Sequence, residues 1–282
     1  MRLEAIKDQD NWNCSIQQIA NSLFFKYEWY KAFKTPWKSN LLVRLENCYL
    51  PLQINLLTRV AYSGPWGSHG GPIGNKNLTE EILKWAKKEL FLRKIVLYCE
   101  EELPLKIKNY SLERSSAVIL TLDNEENILK RLHENRKRNL KKAAQGGFYF
   151  EILKGKEGAI RYTKLLKRVL KGVKGYKFHN IGIFKNLSEL EEVHFCFSGK
   201  ERDESGAVIL ELNKDTIFYW HGVNSAEALS QHTGDFLHWS ILQFALKKGF
   251  KFYNLGTSPY QELRNYKLSW GGEEKPVYTY VL

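Results

Sequence analysis

Phe252–Glu273 reads FYNLGTSPYQELRNYKLSWGGE. The run KFYNLG predicts a strand that ends in Asn254-Leu255-Gly256 and delivers a loop. A short helix bearing Tyr266 and Lys267 follows, then Trp270-Gly271-Gly272. A lysine held beside aromatics after a strand end can be fixed in place and partly desolvated, which is what an oxyanion-stabilising cation requires. The competing reading is a surface lysine on a short helix.

Immediately upstream, Phe236–Lys248 is apolar almost all round, so a helix there belongs between layers, closed by Gly249. It is preceded by QHTGDF, Gln231–Phe236. A glycine turn feeding a helix N-terminus can receive a pyrophosphate, because free N–H groups and the helix dipole point at it. Gln231 and Gly234 fit the Q/R-x-x-G-x-G/A pattern of acetyl-CoA-dependent N-acetyltransferases. Phe236 stands where a small residue belongs, and Asp235 puts a negative charge where an anion would sit. Asp235 is read instead as an N-cap residue.

Further out, AVILELNK and TIFYWHGV form a hairpin around Lys214-Asp215, and Leu187–Phe195 reads as helical or mixed. Gly172–Gly182 is a loop rich in glycine and lysine, Tyr162–Leu170 a helix, and FYFEIL a strand. Asn124–Ala144 is expected to be one long helix stopped by Gly146-Gly147. The first third reads helix then strands: Ser22–Lys34, then LLVRLEN and YLPLQINLL within Leu41–Leu57. The glycine- and proline-rich loop SGPWGSHGGPIG (Ser63–Gly74) follows, then a helix capped by Thr79 and the strands KIVLYCE and AVILTLD. Pro276–Leu282 is a last apolar-aromatic strand.

Lys130–Lys142, KRLHENRKRNLKK, holds seven basic residues and one acidic one. That is half of the chain's excess of +12 over 282 residues. At about 100° per residue, Leu129, Leu132, Leu140 and Ala143 share a stripe with Arg136 in its middle, while Arg131, Arg138 and Lys142 face out. A guanidinium in an apolar stripe needs an anion, either a protein carboxylate or a bound phosphate. The outward residues are a solvated basic face or part of a polyanion-binding surface.

The charge favours anionic partners: nucleic acid, a phosphorylated small molecule or an acidic membrane surface. Hydrophobic residues at 43% and charged residues at 26% exclude intrinsic disorder. No apolar run is long enough to span a bilayer, and the opening residues lack the apolar core of a signal peptide, so a cytoplasmic location is expected. Four scattered cysteines make neither a disulfide framework nor a metal-ligand spacing, and the histidines form no ligand pair, so no metal is expected. No Ser-His-acid order, nucleophilic cysteine setting, P-loop or dinucleotide-binding fingerprint is present, and GSHGGPIG does not fit G-x-G-x-x-G.

Four blocks in this order resemble the FemABX family and the related BioF2-like acyltransferases of the GNAT superfamily. LFFKYEWYKAF (Leu23–Phe33) is similar to the family's N-terminal aromatic helix, and GPWGSHGGPIG to its Gly-Pro loop. ENRKRNLKKAAQGGFYFEI resembles the basic helix, glycine and strand that open its second domain. YNLGTSPYQELRNYKLSWGG resembles its closing strand, glycine and aromatic-Lys…Gly segment.

The resemblance implies an α+β fold of two tandem GNAT-like domains, with mixed, mostly antiparallel sheets flanked by helices. The domains would span 1–122 and 123–272, with 273–282 as a final strand returning to the first. It implies an acyltransferase moving an acyl or aminoacyl group from a thioester or charged tRNA to an amine of a cell-wall peptide or glycoconjugate precursor. Lys267 would stabilise the oxyanion and Tyr266 shape the channel. Arg136, Arg138, Gln231, Gly234, Tyr253 and Asn254 would hold substrate or phosphates. Asn254 stands where relatives often carry Asp, which removes a carboxylate at that place. No helical arm follows the basic helix, which leaves the tRNA donor open. No tightly bound cofactor is implied, the co-substrate being acyl-CoA or aminoacyl-tRNA. The acceptor would be an anionic nucleotide-linked or lipid-linked molecule, with peripheral contact at the inner membrane face an open option. A second reading, from the charge alone, is a non-catalytic nucleic-acid or polyanion binding protein built on residues 130–142.

Overall fold

The structure is a computed structural model that describes residues 3–106, 109–171, 182–200 and 203–282. It is an α+β fold whose strands pair mostly antiparallel. The chain divides into two compact units, Met1–Ser116 with Lys275–Leu282, and Ala117–Glu274.

The first unit opens with β1 (Leu3–Ile6), α1 (Gln9–Gln17) and α2 (Tyr27–Ala32). The expected helix over Ser22–Lys34 is broken at Lys26, whose extended backbone separates a single turn, Leu23–Phe25, from α2. Its aromatics pack inward: Trp29 and Tyr30 are fully buried, as is Trp12 of α1. Trp12 Nε1 donates to the carbonyl of Phe25 (2.8 Å). The β2–β3 hairpin (Lys38–Leu45, Cys48–Asn55) forms as the alternating pattern predicts. It is followed by β4 (Val60–Tyr62), β5 (Ile73–Gly74), α3 (Thr79–Glu89), β6 (Lys94–Cys99) and β7 (Ser111–Thr121), the last running into the second unit.

Ser63–Gly74 folds back on itself so tightly that a Cβ on Gly70 would meet the Ser63 carbonyl oxygen at 1.8 Å. That approach excludes any side chain there. Thr79 does not cap α3, contrary to expectation. It is already helical, and its hydroxyl donates back to the Lys76 carbonyl in a preceding turn, Lys76–Leu78.

In the second unit the long helix expected over Asn124–Ala144 is two helices, α4 (Glu125–Arg131) and α5 (Glu134–Ala144). Leu132 and His133 are extended. His133 caps α5 by accepting the Asn135 N–H at Nδ1 (3.2 Å), and its own N–H donates to the Ser269 carbonyl (3.0 Å). The break carries Leu132 into the core and leaves Leu129 exposed, so the stripe does not run through both helices.

Then come β8 (Tyr149–Leu153), α6 (Gly155–Leu170), α7 (Gly182–Leu187), β9 (Val193–Lys200), β10 (Asp203–Glu211), β11 (Thr216–Asn224), α8 (Ala226–Ser230), α9 (Thr233–Lys248), β12 (Phe252–Thr257) and α10 (Gln261–Leu268). Of the loop expected at Gly172–Gly182, residues 172–181 lie outside the described residues. Strands pair in the order β7-β12-β11-β10-β9-β8. Only β11–β12 is parallel among these.

Where helical or mixed structure was expected, β9 is a strand. Phe195 and Phe197 meet Tyr162 of α6, whereas His194 meets Phe244 of α9. Both faces are covered, so Val193–Gly199 is buried throughout even though VHFCFS alternates in sequence. α9 runs through the core with Leu237, Ile241, Leu242 and Ala245 buried. The chain ends in β13 (Glu273–Val281), which pairs antiparallel with β6.

Candidate active site

β11 and β12 pair only from Thr216↔Phe252 to Phe218↔Asn254, although β11 continues to Asn224 and β12 to Thr257. Just past the last paired position, the Tyr219 ring stacks on His238 of α9, with centroids 4.3 Å apart. His238 Nδ1 and the Tyr253 hydroxyl share a hydrogen bond of 3.0 Å. Trp270 and Tyr266 close around the same imidazole at 5.3 and 5.8 Å. Burial, with the positive charges of Arg136 and Lys267 adding to it, pulls His238 down to about 3, so the ring is neutral at physiological pH.

Arg136 of α5 ion-pairs with the buried carboxylate of Asp235. Asn139, one position short of a full turn further along α5, donates to the other oxygen (2.9 Å). The Arg136 guanidinium lies over the Tyr266 ring, 4.7 Å from its centroid. Of the two anions open to Arg136 from sequence, a protein carboxylate and a phosphate, the carboxylate is present. Asp235 is not an N-cap: the cap is His232, in the left-handed region at φ 61°, and Asp235 sits in the first turn of α9. Burial and the Asp235 charge raise the Tyr266 hydroxyl well above its ordinary value, so it stays protonated.

Lys267 projects from α10 to the end of β12. Its Nζ donates to the carbonyls of Thr257 (2.7 Å) and Gly256 (3.3 Å). An ammonium has three N–H donors, so one remains. The side chain is 9% exposed, and burial lowers its pKa to about 8. Asn254 sets this arrangement up: buried, it accepts the Gly256 N–H at Oδ1 (2.7 Å). Gly256 has φ +69°, a left-handed turn that aims its carbonyl at Lys267 and that glycine adopts without strain. An amide performs this job, so the missing carboxylate at position 254 has a structural counterpart.

The structure therefore brings Arg136, Tyr253, Asn254, Tyr266 and Lys267 into one neighbourhood. The other three predicted residues make different contacts. Gln231 donates to Asp203 (3.0 Å). A Cβ on Gly234 would meet the Asn224 amide at 3.0 Å, so that glycine faces a side chain. Arg138 is exposed and enters no ion pair among the described residues. Asp235 in its wider role, His238, Tyr219, Asn139 and Trp270 were not foreseen. The signal was there in part: Asp235 and His238 are three apart in a largely apolar helix, and that spacing puts them on one face.

The fold is that of FemX and of tandem GNAT proteins. A crystal structure of FemX superposes with a TM-score of 0.72 over 99% of this chain and 97% of that one, at 12% identity. The C-terminal domain of an Agrobacterium fabrum protein described as a lysylphosphatidylglycerol synthetase gives 0.64, over 97% and 92%, at 13% identity. A tandem GNAT protein from the clavulanic acid biosynthesis pathway gives 0.56, over 100% and 98%, at 11% identity. No protein-family model matches the sequence, and no curated protein is significantly similar to it. The likeness is one of fold. Among the described residues, no helix is long and apolar enough to cross a membrane, and no group of three or more His, Cys, Asp or Glu side chains could hold a metal ion.

Proposed function

We propose that the protein is an N-acyltransferase or aminoacyltransferase that moves an acyl or aminoacyl group from a thioester or charged tRNA onto an amine of a cell-wall peptide or glycoconjugate precursor. The observation that carries this reading is Lys267: a buried ammonium, oriented by two backbone carbonyls, with one N–H to spare. In the reaction the amine lone pair forms the new C–N bond. The carbonyl π pair moves to oxygen, and Lys267 stabilises that oxyanion. Collapse re-forms the carbonyl and expels the thiolate or ribose oxygen, which takes up the proton the amine loses. Positioning and oxyanion stabilisation supply the acceleration. The fold likeness to FemX and to tandem GNAT proteins supports the transferase class.

Calorimetric titration with acetyl-CoA and free coenzyme A tests the donor. Saturable binding favours a thioester. Its absence favours charged tRNA, in keeping with an Asp235 carboxylate already occupying the first turn of α9. With the donor in hand, Lys267→Ala is expected to lower kcat by about 10²–10³ while leaving acceptor binding intact. An unchanged kcat removes the oxyanion role. Steep salt dependence of nucleic-acid binding, unaffected by Lys267→Ala, would instead favour the polyanion reading.

A further inference from the structure

At one end of the first unit's sheet, where β2, β4 and β6 begin and β3 ends, four large apolar side chains stand in solvent. Trp37 is 59% exposed, Leu56 54%, Leu57 67% and Phe91 72%. Scattered single cases are ordinary on a soluble surface, but a cluster is not. The backbone ties these positions together. Leu56 N–H donates to the Trp37 carbonyl (2.9 Å), and Arg93 N–H donates to the Arg59 carbonyl (2.9 Å). Val60 pairs with Lys94.

The tip is also fixed in shape. Asn55 Oδ1 accepts the N–H groups of both Leu57 and Thr58 (3.0 and 3.1 Å), locking the turn that presents the leucines. Arg59 and Phe91 are both held in the left-handed region, at φ 54° and 50°. A non-glycine residue pays for that conformation.

The charge at this rim has one sign. The segments Lys34–Asn40, Leu56–Val60 and Phe91–Lys94 contain basic residues and no acidic one. Arg59, Arg93 and Lys94 are exposed and enter no ion pair among the described residues, unlike Lys84 and Lys88 on the neighbouring helix, which pair with Glu80 and Glu89. Indole and leucine at the tip with unpaired cations behind match a bilayer, whose acyl boundary takes the apolar groups and whose anionic headgroups meet the cations.

We infer that the Trp37–Leu57–Phe91 rim is a peripheral docking surface for an anionic lipid bilayer. This assignment stands on the rim alone and does not depend on the reaction proposed for the second unit.

The test is co-sedimentation of the full chain with vesicles of phosphatidylcholine alone and of phosphatidylcholine mixed with phosphatidylglycerol. Binding to the mixed vesicles only, weakened by salt, is expected. The double substitutions Leu57→Asp with Phe91→Asp, and Arg59→Glu with Arg93→Glu, should each lower the partition coefficient tenfold or more, on the scale of about fivefold per interfacial cation. All four positions are exposed, and an unchanged thermal midpoint verifies that the variants are folded. Arg138→Glu with Lys142→Glu, on the other basic surface, should leave binding unchanged. No vesicle binding, concentration-dependent self-association in its place, or binding lost only in the Arg138/Lys142 variant would overturn the assignment.

Discussion

Arg136 and Asp235, ninety-nine positions apart in sequence, form a buried ion pair that joins α5 to the first turn of α9 beneath the Tyr266 ring. Removing one partner strands the other charge. Arg136→Met is expected to cost about 3–5 kcal/mol, because the buried Asp235 carboxylate then keeps only the Asn139 amide (2.9 Å), a long bond from the Tyr266 hydroxyl (3.5 Å) and His232 Nδ1 at 3.8 Å. Arg136→Met combined with Asp235→Leu should recover much of that loss. Urea denaturation of the two variants checks this, and equal destabilisation in both would show that the pair does not act as a unit.

Lys267 predicts two opposed pH dependences. Burial lowers it from 10.5 to about 8 in the fold. Between those values the unfolded chain holds a proton that the native protein does not, so this residue makes stability rise with pH from about 8 to about 10.5. Below about 8 both states are protonated and the contribution is flat. Turnover should run the other way, falling above about pH 8 as the oxyanion donor loses its charge. In Lys267→Arg that falling limb should move out of range, because a guanidinium stays charged. A limb that persists near pH 8 in the variant belongs to another group.

Two histidines should make the protein acid-labile. His238 is lowered to about 3 and His221 to about 4, the first by burial with two neighbouring cations, the second by burial alone. Both are neutral when folded and charge near 6.5 when unfolded. Stability is therefore full above pH 6.5 and falls by about 1.4 kcal/mol per pH unit for each residue down to about pH 4. His238→Phe should flatten this slope while forfeiting the bond to Tyr253. Unfolding free energies measured at pH 7, 6 and 5 decide it.

Gly256→Ala probes the seat of Lys267 without touching the lysine. The backbone there is left-handed at φ +69°, and the added Cβ would come within 3.2 Å of the Phe218 ring. A stability loss of about 1 kcal/mol is expected. A larger proportional loss in kcat than in KM should accompany it, because the displaced carbonyl is one of the two that orient the ammonium. A variant with normal kcat would mean that Thr257 alone suffices.

Local periodicity made much of this legible. Hairpins such as β2–β3 and β10–β11, the buried α9 and the Tyr266-Lys267 helix declare themselves through alternation, apolar runs and turn residues. What failed was decided by distant partners. His133 breaks the basic helix because its N–H is claimed by Ser269, far along the chain. The start of β9 is fixed by α6 and α9, which cover its two faces and bury even His194 and Ser198. Arg136 could be seen to need an anion, but which one depended on α9 lying beside α5. Asn254 looked like a lost carboxylate until its bond to the Gly256 amide defined its task.

The pairing of β13 with β6 also governs the order in which the protein can be made. Leu103 donates its N–H to the Tyr280 hydroxyl across 177 positions, and Ile95 exchanges both backbone bonds with Leu282. The first unit is thus assembled from residues before 117 and sealed by residues 275–282, with the whole second unit between them. Loop closure over that distance is entropically slow. On a ribosome the first unit would wait, with that edge of β6 unpaired, until residues 275–282 have emerged, and a chain stopped short of Lys275 would leave that edge open for good.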